Sequence, residues 1–233
     1  EARQLNAYKN FFAENKAASK IFIKQNNKPW KQGDKLIQKD LAKTLKRIAR
    51  YGRDGFYKGP VAELIVKEME RGNGLITLKD LQKYSSKYRS PILGTYKDYE
   101  IISMGPPSSG GALLINMLNM LENYPIDTIS WNSSEYIHIM TEVERRAYAD
   151  RAEHMGDPDY WDVPVIMLTS KKYAKERIEN IDLNKATPSN LISASKRTNY
   201  ESPETTHYSV VDKWGNAVSV TTTINLGYGN GCV

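Results

Sequence analysis

Five threonines stand close together near the end of the chain: Thr205 and Thr206 in "SPETTHYSVVD", and Thr221, Thr222 and Thr223 in "AVSVTTTIN". A threonine hydroxyl is a weak nucleophile until a base takes its proton, and a threonine can supply that base itself only through a free α-amino group. An α-amino group has a pKa near ~8 and so accepts a proton near neutrality. It is free only where a chain begins. Thr205 lies where the stretch "DLNKATPSNLISASKRTNYESPE", rich in Ser, Asn, Thr, Pro and Lys, meets the first strand. Such a linker is open to cleavage, and a cut between Glu204 and Thr205 would make nucleophile and base one residue. The competing reading is that threonine simply forms strands well, so that cross-strand threonine pairs are ordinary sheet surface.

Two strands must position these hydroxyls. "HYSVVD" and "AVSVTTTI" alternate with a period of two around "KWGN", whose Gly215-Asn216 centre suits a tight hairpin turn. With a two-residue loop at Trp214 and Gly215, Thr206 faces Thr223; a loop one residue longer or shorter sets Thr205 opposite Thr223. Either way Thr205 and Thr223 are neighbours, and directly opposed Cβ atoms lie about 5 Å apart, within reach of a shared hydrogen bond. Asn225 falls on the face of Thr223, one pleat further on.

Most of the remaining chain reads as helix. In "QKDLAKTLKRIARYG" Leu41, Leu45, Ile48 and Ala49 recur at helical spacing, and Gly52 sits where a left-handed cap would. "GPVAELIVKEMERGNG" carries Gly59 as cap, Pro60 at the first helical position and Gly72 as stop. Thr77 with Asp80 three residues later predicts a capped short helix in "LITLKDLQKY". The pattern then changes to a turn at Gly94 and a short strand "YEIISM". The loop "PPSSGG", residues 106–111, runs into the apolar helix "ALLINMLNMLENY". Its glycines either allow close packing at a strand-to-helix turn or, with Ser108 and Ser109, cradle an anion; the turn is the preferred reading.

The longest helix begins in "WNSSEYIHIMTEVERRAYADRAEH", with Asn132 as cap and Glu135 three residues on. Glu142, Glu144, Arg145, Arg146, Asp150, Arg151 and Glu153 give it a charged exterior, read as solvated ion pairs. His154 complements its C-terminal dipole. Asp157 and Asp159 follow in "GDPDYWDVP" without the spacing of a calcium loop, so turn chemistry is expected there. A further helix, "SKKYAKERIENI", precedes the linker.

Composition removes several functions. The 233 residues, 40% hydrophobic and 26% charged, suffice for a real core. No apolar run is long enough to span a membrane. The net charge of +6 is spread over helix faces, which argues against nucleic acid as partner. Cys232 is the single cysteine, and His138, His154 and His207 lack zinc-ligand spacing, so neither a disulfide nor a metal is expected. The ends suggest an internal piece of a longer polypeptide.

The stretch "TTHYSVVDKWGNAVSVTTTIN" resembles the start of the small subunit of γ-glutamyltranspeptidases, which belong to the N-terminal-nucleophile hydrolases. "DGFYKGPVAELIVKEM", "NGLITLKDLQKY", "SMGPPSSGG", "AYADRAEHMGDPDY" and "YESPETTHYSV" resemble, in order, the second half of the large subunit. This resemblance implies an α+β fold, part of an αββα sandwich, with residues 1–204 from the large subunit and 205–233 from the small one. It also implies self-cleavage between Glu204 and Thr205, with Thr205 as the nucleophile and Thr223 as its hydrogen-bonding partner. Asn225 would hold the α-amino and carboxylate end of a γ-glutamyl group, for which its paired donor and acceptor suit it. The implied activity moves the γ-glutamyl group of glutathione and related donors to water or amino acids, without a cofactor, in a periplasmic or secreted enzyme.

Other expectations follow from what departs or is missing. The family's carboxylate-clamping arginine falls upstream of residue 1, and its remaining acidic ligands, serine pair and Gly-Gly oxyanion hole fall beyond Val233. The isolated fragment is therefore expected to be inactive and to need the other segments of the same precursor. Gly105 replaces a proline of the family's loop, and Thr222 stands where many relatives carry an aromatic. A β-lactam side-chain acylase, a poly-γ-glutamate enzyme and an unprocessed binding module are the rival readings.

Overall fold

The computed structural model describes residues 1–192, 206–224 and 228–229. Its contacts divide the chain into two units, Glu1–Ser86 with Ile224–Val233, and Lys87–Thr223.

The first unit is helical. It comprises α1 (Ala2–Ala7), α2 (Lys9–Glu14), α3 (Lys16–Phe22), α4 (Lys39–Tyr51), α5 (Asp54–Tyr57), α6 (Pro60–Arg71) and α7 (Leu78–Lys83). Phe12 is its best-buried ring, with its centroid 4.8 Å from Phe22 and 4.7 Å from Tyr228. Aromatic rings at these separations add directional attraction to the apolar area they bury.

The helix ends agree closely with the local signals. Pro60 opens α6 behind Gly59, and Gly72 closes it. Thr77 and Asp80 form the reciprocal cap of α7: the Thr77 hydroxyl accepts from the Asp80 N–H at 3.3 Å and the Asp80 carboxylate accepts from the Thr77 N–H at 2.8 Å. Gly52 ends α4 with φ 57 and ψ −136, outside the left-handed helical well expected for it and in a region that essentially only glycine occupies.

The second unit holds β1 (Ile92–Tyr96), β2 (Tyr99–Ser103), α8 (Gly110–Leu121), α9 (Ser134–His154), α10 (Val165–Leu168), α11 (Lys171–Ile178), α12 (Ser189–Ile192), β3 (Thr206–Val211) and β4 (Ala217–Thr222). Helix α8 is its centre, and Leu113 and Met120 pack with Ile139, Val143 and Ala147 of α9 and Ala174 of α11. The Asn116 and Asn119 side-chain amides donate to the Leu168 and Thr169 carbonyls, each at 2.8 Å, and satisfy the end of α10.

Four sequence expectations change here. Gly94 lies within β1 and pairs with Ile101, while the turn falls at Lys97, with φ 51. A Cβ on Gly94 would stand 2.8 Å from Ile115 of α8, so glycine serves close helix-to-strand approach and not a bend. The cap of α9 is Ser133, whose hydroxyl accepts from the Tyr136 N–H at 3.2 Å, and Asn132 instead takes φ 59. Part of the expected linker is folded, because α12 lies within it and Ile192 is buried. The charged exterior of α9 is the largest correction: Glu142 and Arg146 are 1% exposed and Asp150 is 3% exposed.

The loop before α8 packs as a turn. A Cβ on Gly111 would lie 2.1 Å from the Met104 carbonyl oxygen, and Ser109 Oγ accepts from Arg151 Nε at 3.0 Å. After α9, the Asp157 carboxylate accepts from the Asp159 N–H at 3.0 Å, and Asp159 pairs with Lys87 and Arg89. That is the turn chemistry expected of the acidic pair. Among the described residues no acidic or histidine cluster could hold a metal ion, and no helix is long and apolar enough to cross a membrane.

Candidate active site

The threonine hairpin folds with β3 and β4 antiparallel, and its register runs from Thr206↔Thr222 to Val211↔Ala217. Residues 213–215 connect the strands, one residue more than the two-residue loop considered from sequence. Asp212 explains the extra residue. Its carboxylate accepts from the Trp214 and Asn216 N–H groups, each at 2.9 Å, and from the Asn216 side-chain amide at 2.8 Å. The Asp212 N–H donates to the Asn216 carbonyl at 3.0 Å, and Gly215 supplies the positive φ of 85 that the connection needs. The Asn216 side chain, followed by the turn's backbone N–H groups, holds the Asp212 carboxyl below its ordinary range.

Alternation gives the hairpin two unlike faces. Tyr208, Val210 and Val218 form an apolar face and are 51%, 56% and 56% exposed. The other face is a ladder of hydroxyls around a histidine. His207 Nδ1 and Thr221 Oγ1 share a hydrogen bond of 2.8 Å, and His207 Nε2 lies 3.1 Å from Ser219 Oγ. Ser209 Oγ lies 3.3 Å from both His207 Nε2 and Ser219 Oγ. The tautomer of His207 sets the direction of these bonds.

Thr223 follows Thr222 directly and, by alternation, continues the hydroxyl face. Glu204, Thr205 and Asn225 lie outside the described residues. Sequence reasoning singled out the threonines and passed over His207, Ser209 and Ser219. The signal was present: all three share the parity of Thr221 and Thr223 in paired strands, so a face count would have gathered them.

A second polar centre lies on α9. Arg146 Nη1 donates to Glu142 Oε2 at 2.5 Å and to the Glu142 carbonyl at 3.1 Å. Burial pushes the Glu142 carboxyl up, but hydrogen bonds from Thr187 and Arg146 outweigh it and hold the group down to about 2. One helical turn further on, Asp150 accepts from the Tyr173 hydroxyl at 3.0 Å and from Arg177 Nε at 3.2 Å. Burial raises the Asp150 carboxyl against these partners, and burial followed by the Asp150 charge raises the Tyr173 phenol.

An α+β chain whose antiparallel hairpin carries a face of hydroxyls around a histidine is the class that these observations define. The gamma-glutamyltranspeptidase family model matches residues 1–233, and the chain belongs to that family. A glutathione hydrolase proenzyme of Escherichia coli (strain K12) is 47% identical over 232 residues, covering 100% of this chain and 40% of that protein. An acylase ACY 1 proenzyme of Pseudomonas sp. (strain SE83) is 40% identical over 202 residues, 87% of this chain and 36% of that protein. The crystal structure of Helicobacter pylori gamma-glutamyltranspeptidase superposes with a TM-score of 0.78 at 42% identity, over 85% of this chain and 58% of that one. The chain thus spans about two fifths of the length of the curated relatives it matches.

Proposed function

We propose that this chain is the junction segment of a self-processing γ-glutamyltransferase and glutathione hydrolase, in which residues 1–204 end the large subunit and residues 205–233 begin the small one. The observation that carries the reading is the hairpin register. Continued by one pair beyond Thr206↔Thr222, it would set Thr205 opposite Thr223. Family membership and the proenzyme names of the relatives support the same reading.

In this account the Thr205 hydroxyl attacks the Glu204 carbonyl carbon and the peptide C–N bond breaks. The departing Thr205 nitrogen takes the hydroxyl proton, leaving an ester. Water hydrolyses that ester, which frees the Glu204 carboxylate and leaves Thr205 with an α-amino group and its hydroxyl. In turnover the amine accepts the hydroxyl proton as Oγ attacks the γ-carbonyl of a donor such as glutathione. The leaving amine departs protonated. Water or an amino acid then resolves the γ-glutamyl ester. Thr223 hydrogen-bonds the nucleophile, and Asn225 accepts from the donor's ammonium and donates to its carboxylate. The reaction needs no metal or organic cofactor, and its place is periplasmic or secreted.

The test is release of glutamate from glutathione by the full-length protein beside its Thr205→Ala variant. Activity confined to the wild type supports the reading, and equal rates oppose it. The acylase relative keeps a second reading open, a β-lactam side-chain acylase. Preference for a β-lactam side-chain amide over glutathione in the same assay would select that reading.

A further inference from the structure

Self-cleavage and turnover ask different things of one threonine. In turnover the free α-amino group of Thr205 takes the hydroxyl proton, but before the cut that nitrogen belongs to a peptide bond, and its lone pair is delocalised into the Glu204 carbonyl. The first attack therefore needs a base from elsewhere. Over hairpin residues 206–224 the titratable side chains are His207, Tyr208, Asp212 and Lys213. Tyr208 lies on the apolar face. Asp212 is committed to the turn, whose hydrogen bonds hold its carboxyl low, and Lys213 sits over the Trp214 ring in the connection. His207 alone stands on the hydroxyl face, and imidazole is the side chain that exchanges a proton near neutrality.

Its surroundings suit that work. His207 Nδ1 meets Thr221, directly opposite on β4, at 2.8 Å, and Nε2 meets Ser219 at 3.1 Å and Ser209 at 3.3 Å. All three partners are hydroxyls, which accept as readily as they donate, so a neutral ring with one bare nitrogen is satisfied there. None of these partners carries a charge that would fix the ring as a cation. Ser209 is two residues along β3, so the ring already spans an interval of about 7 Å. Thr205 is the same interval away in the other direction and, by alternation, on the same face.

We propose that His207 is the general base of self-cleavage, the step for which Thr205 has no amine of its own. The proposal rests on the self-processing reading above. As Thr205 Oγ attacks the Glu204 carbonyl carbon, the hydroxyl proton passes to the bare ring nitrogen. The imidazolium then returns that proton to the Thr205 nitrogen as the C–N bond breaks, which leaves the ester, a free amine and a neutral ring. From then on the amine is the nearer base.

The experiment follows conversion of the full-length precursor, made by cell-free synthesis, into its two fragments. Wild type is compared with His207→Asn, which keeps a polar group facing Thr221 but has no basic nitrogen, and with His207→Ala, assayed with and without added imidazole. Cleavage about a hundredfold slower or more is expected in both variants, and imidazole should restore part of the rate in His207→Ala. Wild-type cleavage should slow on the acid side as the base takes up a proton, and the residual cleavage of His207→Asn should lack that limb. A ring that merely holds the ladder together predicts otherwise. Cleavage of His207→Asn within a few-fold of wild type would overturn the proposal, as would a folded His207→Ala indifferent to imidazole. Should His207→Ala not fold, the rate and pH profile of His207→Asn decide the matter alone. A wild-type precursor that never converts would instead defeat the self-processing reading, and the proposal with it.

Discussion

Glu142 and Asp150 lie about two turns apart on α9 and respond to pH with opposite signs. Glu142 titrates at about 2 in the fold against an ordinary 4.5, because the hydrogen bonds from Thr187 and Arg146 favour its charged form over the cost of burial. A depressed carboxylate contributes stability that is complete above its ordinary value and is lost as pH falls through the folded one. Glu142→Gln should therefore cost about 3 kcal/mol at neutral pH by stranding the buried Arg146 charge. The gap to wild type should close between pH 4.5 and about 2 in chemical denaturation. Parallel curves would refute this. Asp150, raised by burial, stabilises on the acid side in both proteins, so it tempers the acid loss of each without changing the gap between them. At the proposed site, Asn225→Ala should raise KM for glutathione about tenfold or more with a smaller change in kcat, the result of removing contacts to the donor's charged end. Steady-state kinetics on the full-length enzyme would show the reverse split if Asn225 acts on the reacting bond.

Several element boundaries with local causes were legible in the sequence, although the cap of α9 fell one residue later than expected, at Ser133. Thr77 with Asp80, and Gly59 with Pro60, act within a few residues of each other, and the structure keeps both. Gly94 was misread because its reason is distant: Ile115 of α8 presses against the strand. The charges of α9 were misread for the same reason, since local periodicity cannot show that Asn180 and Thr187 arrive to pair with them. Hairpin register depended on one residue of loop, which Asp212 supplies by bridging to Asn216. The glycines before α8 give a test at this scale. Gly111→Ala should destabilise by about 2 kcal/mol or more, because its Cβ would meet the Met104 backbone oxygen at 2.1 Å. Gly110→Ala meets only the Ser108 hydroxyl at 3.5 Å and should be neutral within about 0.5 kcal/mol or mildly stabilising. Equal urea midpoints for the two variants would contradict the close-packing account of this loop.

The chain spans 40% of the length of its Escherichia coli relative. On the hairpin, apolar Tyr208, Val210 and Val218 are exposed on the face opposite the hydroxyls. A two-stranded ribbon with such a face is marginal alone and gains stability when another layer covers it. In the proposed sandwich that layer comes from the rest of the precursor. The central claim is that Thr205 becomes a chain terminus, and the most direct measurement is the intact mass and N-terminal sequence of the purified full-length protein beside its Thr205→Ala variant. Two fragments, one beginning "TTHYSV", in the wild type and a single uncut chain in the variant are predicted. One uncut chain in both would leave the threonines as sheet surface and contradict the account.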